Sequence, residues 1–166
     1  IGYVAAQYMT GDVGARYNTI MGHAAGYQSG KGIHQTYIGD TAGNYATGSY
    51  NTFVGSDAGK GGTTSAPYSS GQYNTALGYQ ALTGFTTGYM NTAIGYQAGD
   101  AVTTGQNLVF AGANAGGATT TGYNMVLIGR NAGAVVTTGR DLVCIGKDTF
   151  PNSNADVNFD SVYIGD

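Results

Sequence analysis

Glutamate and tryptophan are absent from this chain, cysteine occurs once, proline twice, and charged residues make up 9% of its 166 positions. Each shortage excludes something. The lone Cys144 cannot form a disulfide within the chain, so a small stapled scaffold is ruled out while the redox compartment stays open. Six basic residues against nine acidic ones, a net charge of -3, leave no positive surface for sequence-blind nucleic-acid binding. No run is long or apolar enough to form a membrane-crossing helix. Two prolines, and 30 glycines that do not fall at every third position, exclude collagen.

Glycine and tyrosine are abundant, and glycine is periodic. The stretch Gly88-Tyr89-Met90-Asn91-Thr92-Ala93-Ile94-Gly95-Tyr96-Gln97-Ala98-Gly99 recurs in variants along the whole chain. Anchored on Gly95, its equivalents are Gly2, Gly22, Gly39, Gly55, Gly78, Gly112, Gly129, Gly146 and Gly165, with four consecutive intervals of 17 residues between Gly78 and Gly146. A second glycine stands seven positions before the anchor, as in Gly71, Gly88 and Gly105, and an alanine three positions after it, as in Ala81, Ala98 and Ala115. Low charge with this much glycine would suit disorder, yet a fixed period with regular apolar positions is the signature of an ordered repeat.

Two columns identify a strand in each repeat. The position before the anchor holds Met21, Ile38, Val54, Leu77, Ile94, Ala111, Ile128, Ile145 and Ile164, and the position two earlier holds Thr19, Thr36, Thr52, Thr75, Thr92, Val109, Val126, Val143 and Val162. Nearly all are β-branched or aliphatic, and residues two apart share one strand face. These columns are expected to stack inside the coil, with the anchor glycine turning the chain and the following alanine pointing inward. The fold class that results is all-β: a β-solenoid, β-helix or β-roll, of about nine coils with a period near 17 residues. Each coil carries a strand of about five residues, and nine steps of about 4.8 Å extend ~43 Å.

The alternate strand positions change along the chain. They run Asn18/Ile20, Gln35/Tyr37, Asn51/Phe53, Asn74/Ala76 and Asn91/Ala93, then become Leu108/Phe110, Met125/Leu127 and Leu142/Cys144. From about residue 105 onward both faces are apolar, so the second face is expected to pack against another chain; a wide, flattened coil that covers it internally is the alternative. The asparagine column is read as a hydrogen-bonded ladder, with a polar ligand as the lesser reading. The pairs Thr86-Thr87, Thr103-Thr104, Thr120-Thr121 and Thr137-Thr138 form a threonine column that could match an ice lattice, although it lapses at Gly30-Lys31. Tyr3, Tyr79 and Tyr96 share the position after the anchor and could form a glycan-contact strip.

Residues 1–150 are expected to form one repetitive shaft, with a loop insertion at 60–70 because Pro67 cannot donate to a sheet ladder. Residues 151–166 read as a widened turn at Pro151-Asn152-Ser153-Asn154 and the start of a further coil, and Ile1-Gly2 as the end of a strand, so the sequence reads as an excerpt from a longer chain.

Catalytic, cofactor-binding and metal-ligating residues are assigned to none of these positions. His23 and His34 stand in different columns with no third ligand at useful spacing. Asp148, Asp156 and Asp160 could hold an occasional calcium ion but lack the glycine-aspartate ladder of calcium-binding rolls. Cys144 lies in a strand column with Leu127 and Phe110 and reads as a buried small hydrophobe. Gly112-Ala113-Asn114-Ala115-Gly116-Gly117 lacks the lysine and hydroxyl residue of a phosphate loop. With no triad or paired acids, the chain is not expected to be an enzyme.

The runs Tyr50-Asn51-Thr52-Phe53-Val54-Gly55, Tyr73-Asn74-Thr75-Ala76-Leu77-Gly78-Tyr79-Gln80-Ala81-Leu82 and Asn91-Thr92-Ala93-Ile94-Gly95-Tyr96-Gln97-Ala98 resemble the repeats of bacteriophage tail fibres and, as longer relatives, the head repeats of trimeric autotransporter adhesins. The resemblance covers about residues 1–150. It implies an elongated homotrimer of solenoids side by side, a shaft on a virion tail fibre or cell surface that spaces or displays a receptor-binding tip. A cell-surface glycan or receptor would then be met through a neighbouring domain. The period of 17 is longer than that of the adhesin coil, and no chaperone-like cleavage segment is present. The alternative function is a recognition module that binds surface glycans or ice through repeated Tyr/Asn or Thr columns.

Overall fold

The computed structural model describes residues 5–7, 16–149 and 158–165. Nine strands follow one another in the chain: β1 (Thr19–Met21), β2 (Thr36–Ile38), β3 (Thr52–Val54), β4 (Thr75–Leu77), β5 (Thr92–Ile94), β6 (Gln106–Ala111), β7 (Tyr123–Ile128), β8 (Arg140–Ile145) and β9 (Asn158–Ile164). They form one sheet in sequence order, each strand parallel to the next. Thr75 lies opposite Thr92 and Leu77 opposite Ile94, so the register advances by one repeat per strand. The return segments pair as well: Gly99 N donates to Ala115 O at 2.9 Å and Thr103 N to Thr120 O at 2.9 Å. Successive turns of the chain therefore stack as the coils of a parallel β-solenoid with a period near 17.

The expected strand faces are reversed. Tyr37, Phe53, Ala76, Ala93, Phe110, Leu127 and Cys144 are buried inside the coil, as are Leu108, Met125 and Leu142, so the apolar second face of the later coils is the core and not a contact with another chain. The threonine, valine and isoleucine columns that were expected inside point outward, with Leu77, Ile94 and Ile145 still 47, 43 and 39% exposed.

Volume decides the orientation. Opposite the inward strand residue, four positions after the anchor, stands a glycine wherever the strand residue is large: a Cβ on Gly43 would lie 2.5 Å from the Tyr37 ring, and one on Gly133 would lie 2.6 Å from Leu127. Where the strand residue is only Ala76, the facing position is Leu82, fully buried, and Phe85 fills the remaining space against Phe53 at 5.5 Å between ring centroids. Native packing density is thus kept by exchanging large and small residues across these coils, and where both are small, at Ala93 and Gly99, the Phe110 ring of the next coil takes the space, 2.5 Å from a Cβ on Gly99. The β-branched outer columns supply strand propensity without having to fit that interior.

The roles expected of the alanines and of the anchor glycines hold. The alanines three after the anchor, Ala25 to Ala132, are fully buried, and the anchor glycines adopt φ near +134°, as at Gly78 and Gly95, where a Cβ on Gly95 would meet Gly112 O at 2.6 Å. Residues 63–68 form no strand, while Gly62 N bonds forward to Phe85 O and Ser69 N back to Tyr45 O. The insertion therefore leaves the stack between two paired segments. Tyr3, Pro151 to Asn154 and Asp156 lie outside the described residues.

The asparagine column is an internal ladder. Asn51 Nδ2 donates to Gly71 O at 2.8 Å while its Oδ1 accepts from Asn74 N at 2.9 Å; Asn74 repeats the pattern with Gly88 O and Asn91 N, and Asn91 with Gly105 O and Leu108 N. Each side-chain amide stands in for backbone pairing at the upstream end of the strand. That is why β1 to β5 hold three residues each, and β6 to β8, with Leu108, Met125 and Leu142 in the column, hold six. Gln35, one methylene longer, reaches Gly48 O with its Nε2 at 2.8 Å but leaves its buried Oε1 without a partner among the described residues.

Candidate functional site

The outward side of the sheet is a regular surface that runs the length of the nine strands, and alternation along each strand sets its chemistry. Every coil offers four outward positions. Relative to the anchor glycine these are five before, three before, one before and one after: Tyr73, Thr75, Leu77 and Tyr79 in one coil, and Asn124, Val126, Ile128 and Arg130 in another.

The first column forms a ladder of rings. Tyr17 stacks on His34 at 4.8 Å, His34 on Tyr50 at 5.2 Å, and Tyr50 on Tyr73 at 4.9 Å with only 4° between planes. All of these residues, and Met90, Asn107, Asn124 and Asp141 that continue the column, have φ between 50 and 62°, a left-handed conformation that is unusual for residues with a side chain. Contacts along the column offset that cost. The rings stack, and further on Asn107 Nδ2 reaches Asn124 Oδ1 and Asn124 Nδ2 donates to Asp141 Oδ1 at 2.9 Å.

A second left-handed column stands two after the anchor and is compensated in the same way. Thr41 Oγ1 donates to Asp57, Gln97 Nε2 to Gln80, and Asn131 Nδ2 to Asp148 at 2.6 Å. The Asn131 hydrogen bond, with Lys147 and Arg130 beside it, holds the exposed Asp148 carboxyl below its ordinary pKa. Partial burial acts to raise the Asp57 pKa, but hydrogen bonds from Thr41, Lys60 and Gln80 outweigh it and lower the value. Asp100, which burial affects most, is raised.

Threonine hydroxyls divide into two groups. Thr86, Thr103 and Thr120 each donate to a carbonyl of the next coil at 3.0 to 3.1 Å, so the first hydroxyl of three of the four threonine pairs in the expected ice-matching column is consumed by the fold. The exposed hydroxyls of Thr52 and Thr75, and the phenols of Tyr50 and Tyr73, bond to nothing among the described residues and face solvent. This outward threonine column escaped sequence reasoning because it had been placed inside. The signal was present: the column of Asn51, Asn74 and Asn91 continues as Leu108, Met125 and Leu142, and a position shared by asparagine and leucine is better suited to an interior ladder than to a wet face.

His23 and His34 are not joined in one site; His23 Nδ1 lies 2.9 Å from Asp40 Oδ1, whereas His34 is held between two tyrosine rings. Among the described residues no three His, Cys, Asp or Glu side chains group as metal ligands. Asp148 is engaged as above, and Asp156 and the side chain of Asp160 lie outside the described parts. Cys144 is buried, and burial pushes its thiol up to about 11, the opposite of an activated nucleophile. Tyr79 and Tyr96 stack at 5.5 Å. Residues 112–117 make a turn with no helix after it. Among the described residues no helix is long and apolar enough to cross a membrane.

The outer face thus offers rows of hydroxyls, rings, amides and aliphatic groups repeated once per coil, with charged side chains such as Asp40, Arg130 and Asp141 in its flanking columns. No family model, no curated protein and no solved structure matches the chain.

Proposed function

We propose that the chain is a non-catalytic recognition module whose outer sheet face binds a ligand that itself repeats, a glycan chain of a cell surface. The observation that supports this reading is a contrast between threonines: the half-buried Thr86, Thr103 and Thr120 spend their hydroxyls on the fold, whereas the exposed Thr52 and Thr75, beside Tyr50 and Tyr73, keep theirs for solvent. Ice suits the face less well, because the outward column changes from Thr92 to Val109 and loses its hydroxyl for the rest of the chain. A glycan array tests the reading. Binding to neutral polysaccharides that falls at least tenfold in the double variant T52K/T75K is the expected result; binding unchanged in that variant would contradict it.

A second reading is favoured by a different observation. In β6 to β8 the two central outward columns, three and one before the anchor, are aliphatic, with Val109, Ile128 and Ile145 at 37 to 39% exposure, and such a patch suits association with like chains. In that reading the solenoid is a shaft segment of a phage tail fibre or surface adhesin, three copies side by side, with receptor contact made elsewhere. Sedimentation of the native protein separates the two: a trimer that dissociates in V126K/I128K supports the shaft, and a monomer at micromolar concentration contradicts it.

A further inference from the structure

Where rings stack at 4.9 Å and 4°, each covers the face of its neighbour, so the interior of the Tyr17 to Tyr73 ladder presents edges and hydroxyls only. The ladder stops at Tyr73, because the next position in the column is Met90. There a cleft of about 320 Å³ opens between adjacent coils, walled by Tyr73, Tyr89 and Met90 and edged by Ser70, Gln72 and Thr87. Its backbone is pinned: Met90 N donates to Gln72 O at 3.0 Å, Ser70 N to Thr86 O at 2.8 Å, and Asn107 N to Tyr89 O at 3.2 Å. A cleft held this way needs little ordering when a ligand enters.

Its chemistry narrows the ligand. No charged side chain lines it, so an anion or cation would lose water without gaining a partner. An aromatic face carries a negative quadrupole that attracts weakly positive C–H groups. Around it the Gln72 amide and the Ser70 and Thr87 hydroxyls can each donate and accept hydrogen bonds. A molecule that satisfies both has a C–H face bordered by hydroxyls, which describes a neutral pyranose. Ligand pockets begin at about 300 Å³, so the space suits one or two sugar rings.

We propose that this cleft is the principal subsite for a neutral pyranose residue of a glycan, packed against the Tyr73 and Tyr89 rings and the Met90 side chain with its hydroxyls on Gln72, Ser70 and Thr87. The assignment rests on the recognition reading and locates it at one point of the repeat. Tyr96 is the internal control: it also ends a ring stack and is 52% exposed, but Ala113 follows it and the cleft is lined by other residues.

Saturation-transfer NMR and titration calorimetry on the native protein, with cellohexaose, maltohexaose, mannohexaose and the N-acetylglucosamine hexamer as probes, test it. At least one probe is expected to bind, with affinity reduced tenfold or more in Tyr73→Ala, several-fold in Gln72→Ala and less than twofold in Tyr96→Ala. Because Tyr73 supports a ladder, Met90→Lys provides a second variant that obstructs the cleft from an exposed position and is expected to abolish binding with the circular dichroism unchanged. Binding that survives both Tyr73→Ala and Met90→Lys overturns the subsite and leaves recognition by the wider face standing. Failure of all four probes to bind overturns both.

Discussion

The coils that carry β1 to β5 and those that carry β6 to β8 have the same period and the same sheet, yet they satisfy their backbone differently. In the first group a buried amide, Asn51, Asn74 or Asn91, bridges successive coils and the strand is short; in the second, Leu108, Met125 and Leu142 occupy that position and the strand itself extends upstream. The polar residue is not lost in the second group but moved one place, to the exposed ladder Asn107, Asn124 and Asp141. A side-chain amide and a longer strand are therefore interchangeable solutions to one requirement, that buried backbone groups be paired. The outer face changes in parallel, from threonine with flanking rings to aliphatic with flanking amides.

The comparison breaks most severely where both groups depend on a shared core. Phe110→Ala, at the junction, empties space that Gly99 and Gly116 leave for the ring, and a loss of ~3–5 kcal/mol is expected in denaturant unfolding. Asn74→Ala deprives Gly88 O and Asn91 N of their partners in the interior and is expected to cost ~2–4 kcal/mol, whereas the nearly isosteric Met125→Leu in the other group should cost less than about 1.5 kcal/mol.

Alkaline titration separates the groups further. Burial, opposed by a hydrogen bond to Asn51, raises the Tyr37 phenol far above its ordinary value, and burial raises Cys144 to about 11. Both groups are neutral at low pH. A raised folded pKa means that their contribution is fully present below the unfolded value and is lost as pH rises beyond it, by up to ~1.4 kcal/mol per pH unit for each. Tyr37→Phe should flatten the decline above about pH 10, and Cys144→Ala the part that begins near pH 8.5. The smallest effect is expected on the outer face: Thr75→Val and Val126→Thr, which exchange the two surfaces, should each change stability by less than about 0.5 kcal/mol while shifting glycan binding in opposite directions.

The repeat, the parallel stacking, the coil count and the inward alanines were legible because they depend on period and on residue size at single positions. The facing of the strand was not, because alternation fixes which residues share a face but leaves open which face is inside. β-branched Thr92 and Ile94 looked like core and are surface; Asn91 looked like surface and is core. Only the size exchange between Tyr37 and Gly43, or between Ala76 and Leu82, resolves this, and it links positions that meet only when the coil closes. The Tyr73 cleft was hidden for a related reason: it lies between residues of neighbouring coils, at the place where a ring column stops.

The inside-out assignment of the strand faces underlies every functional statement, and thiol labelling in the native protein tests it most directly. Cys144 is expected to resist a water-soluble maleimide until the protein unfolds, while V143C, in a Cys144→Ala background, labels in the folded state as its outward column requires. Rapid labelling of native Cys144 with protection of V143C would contradict the account.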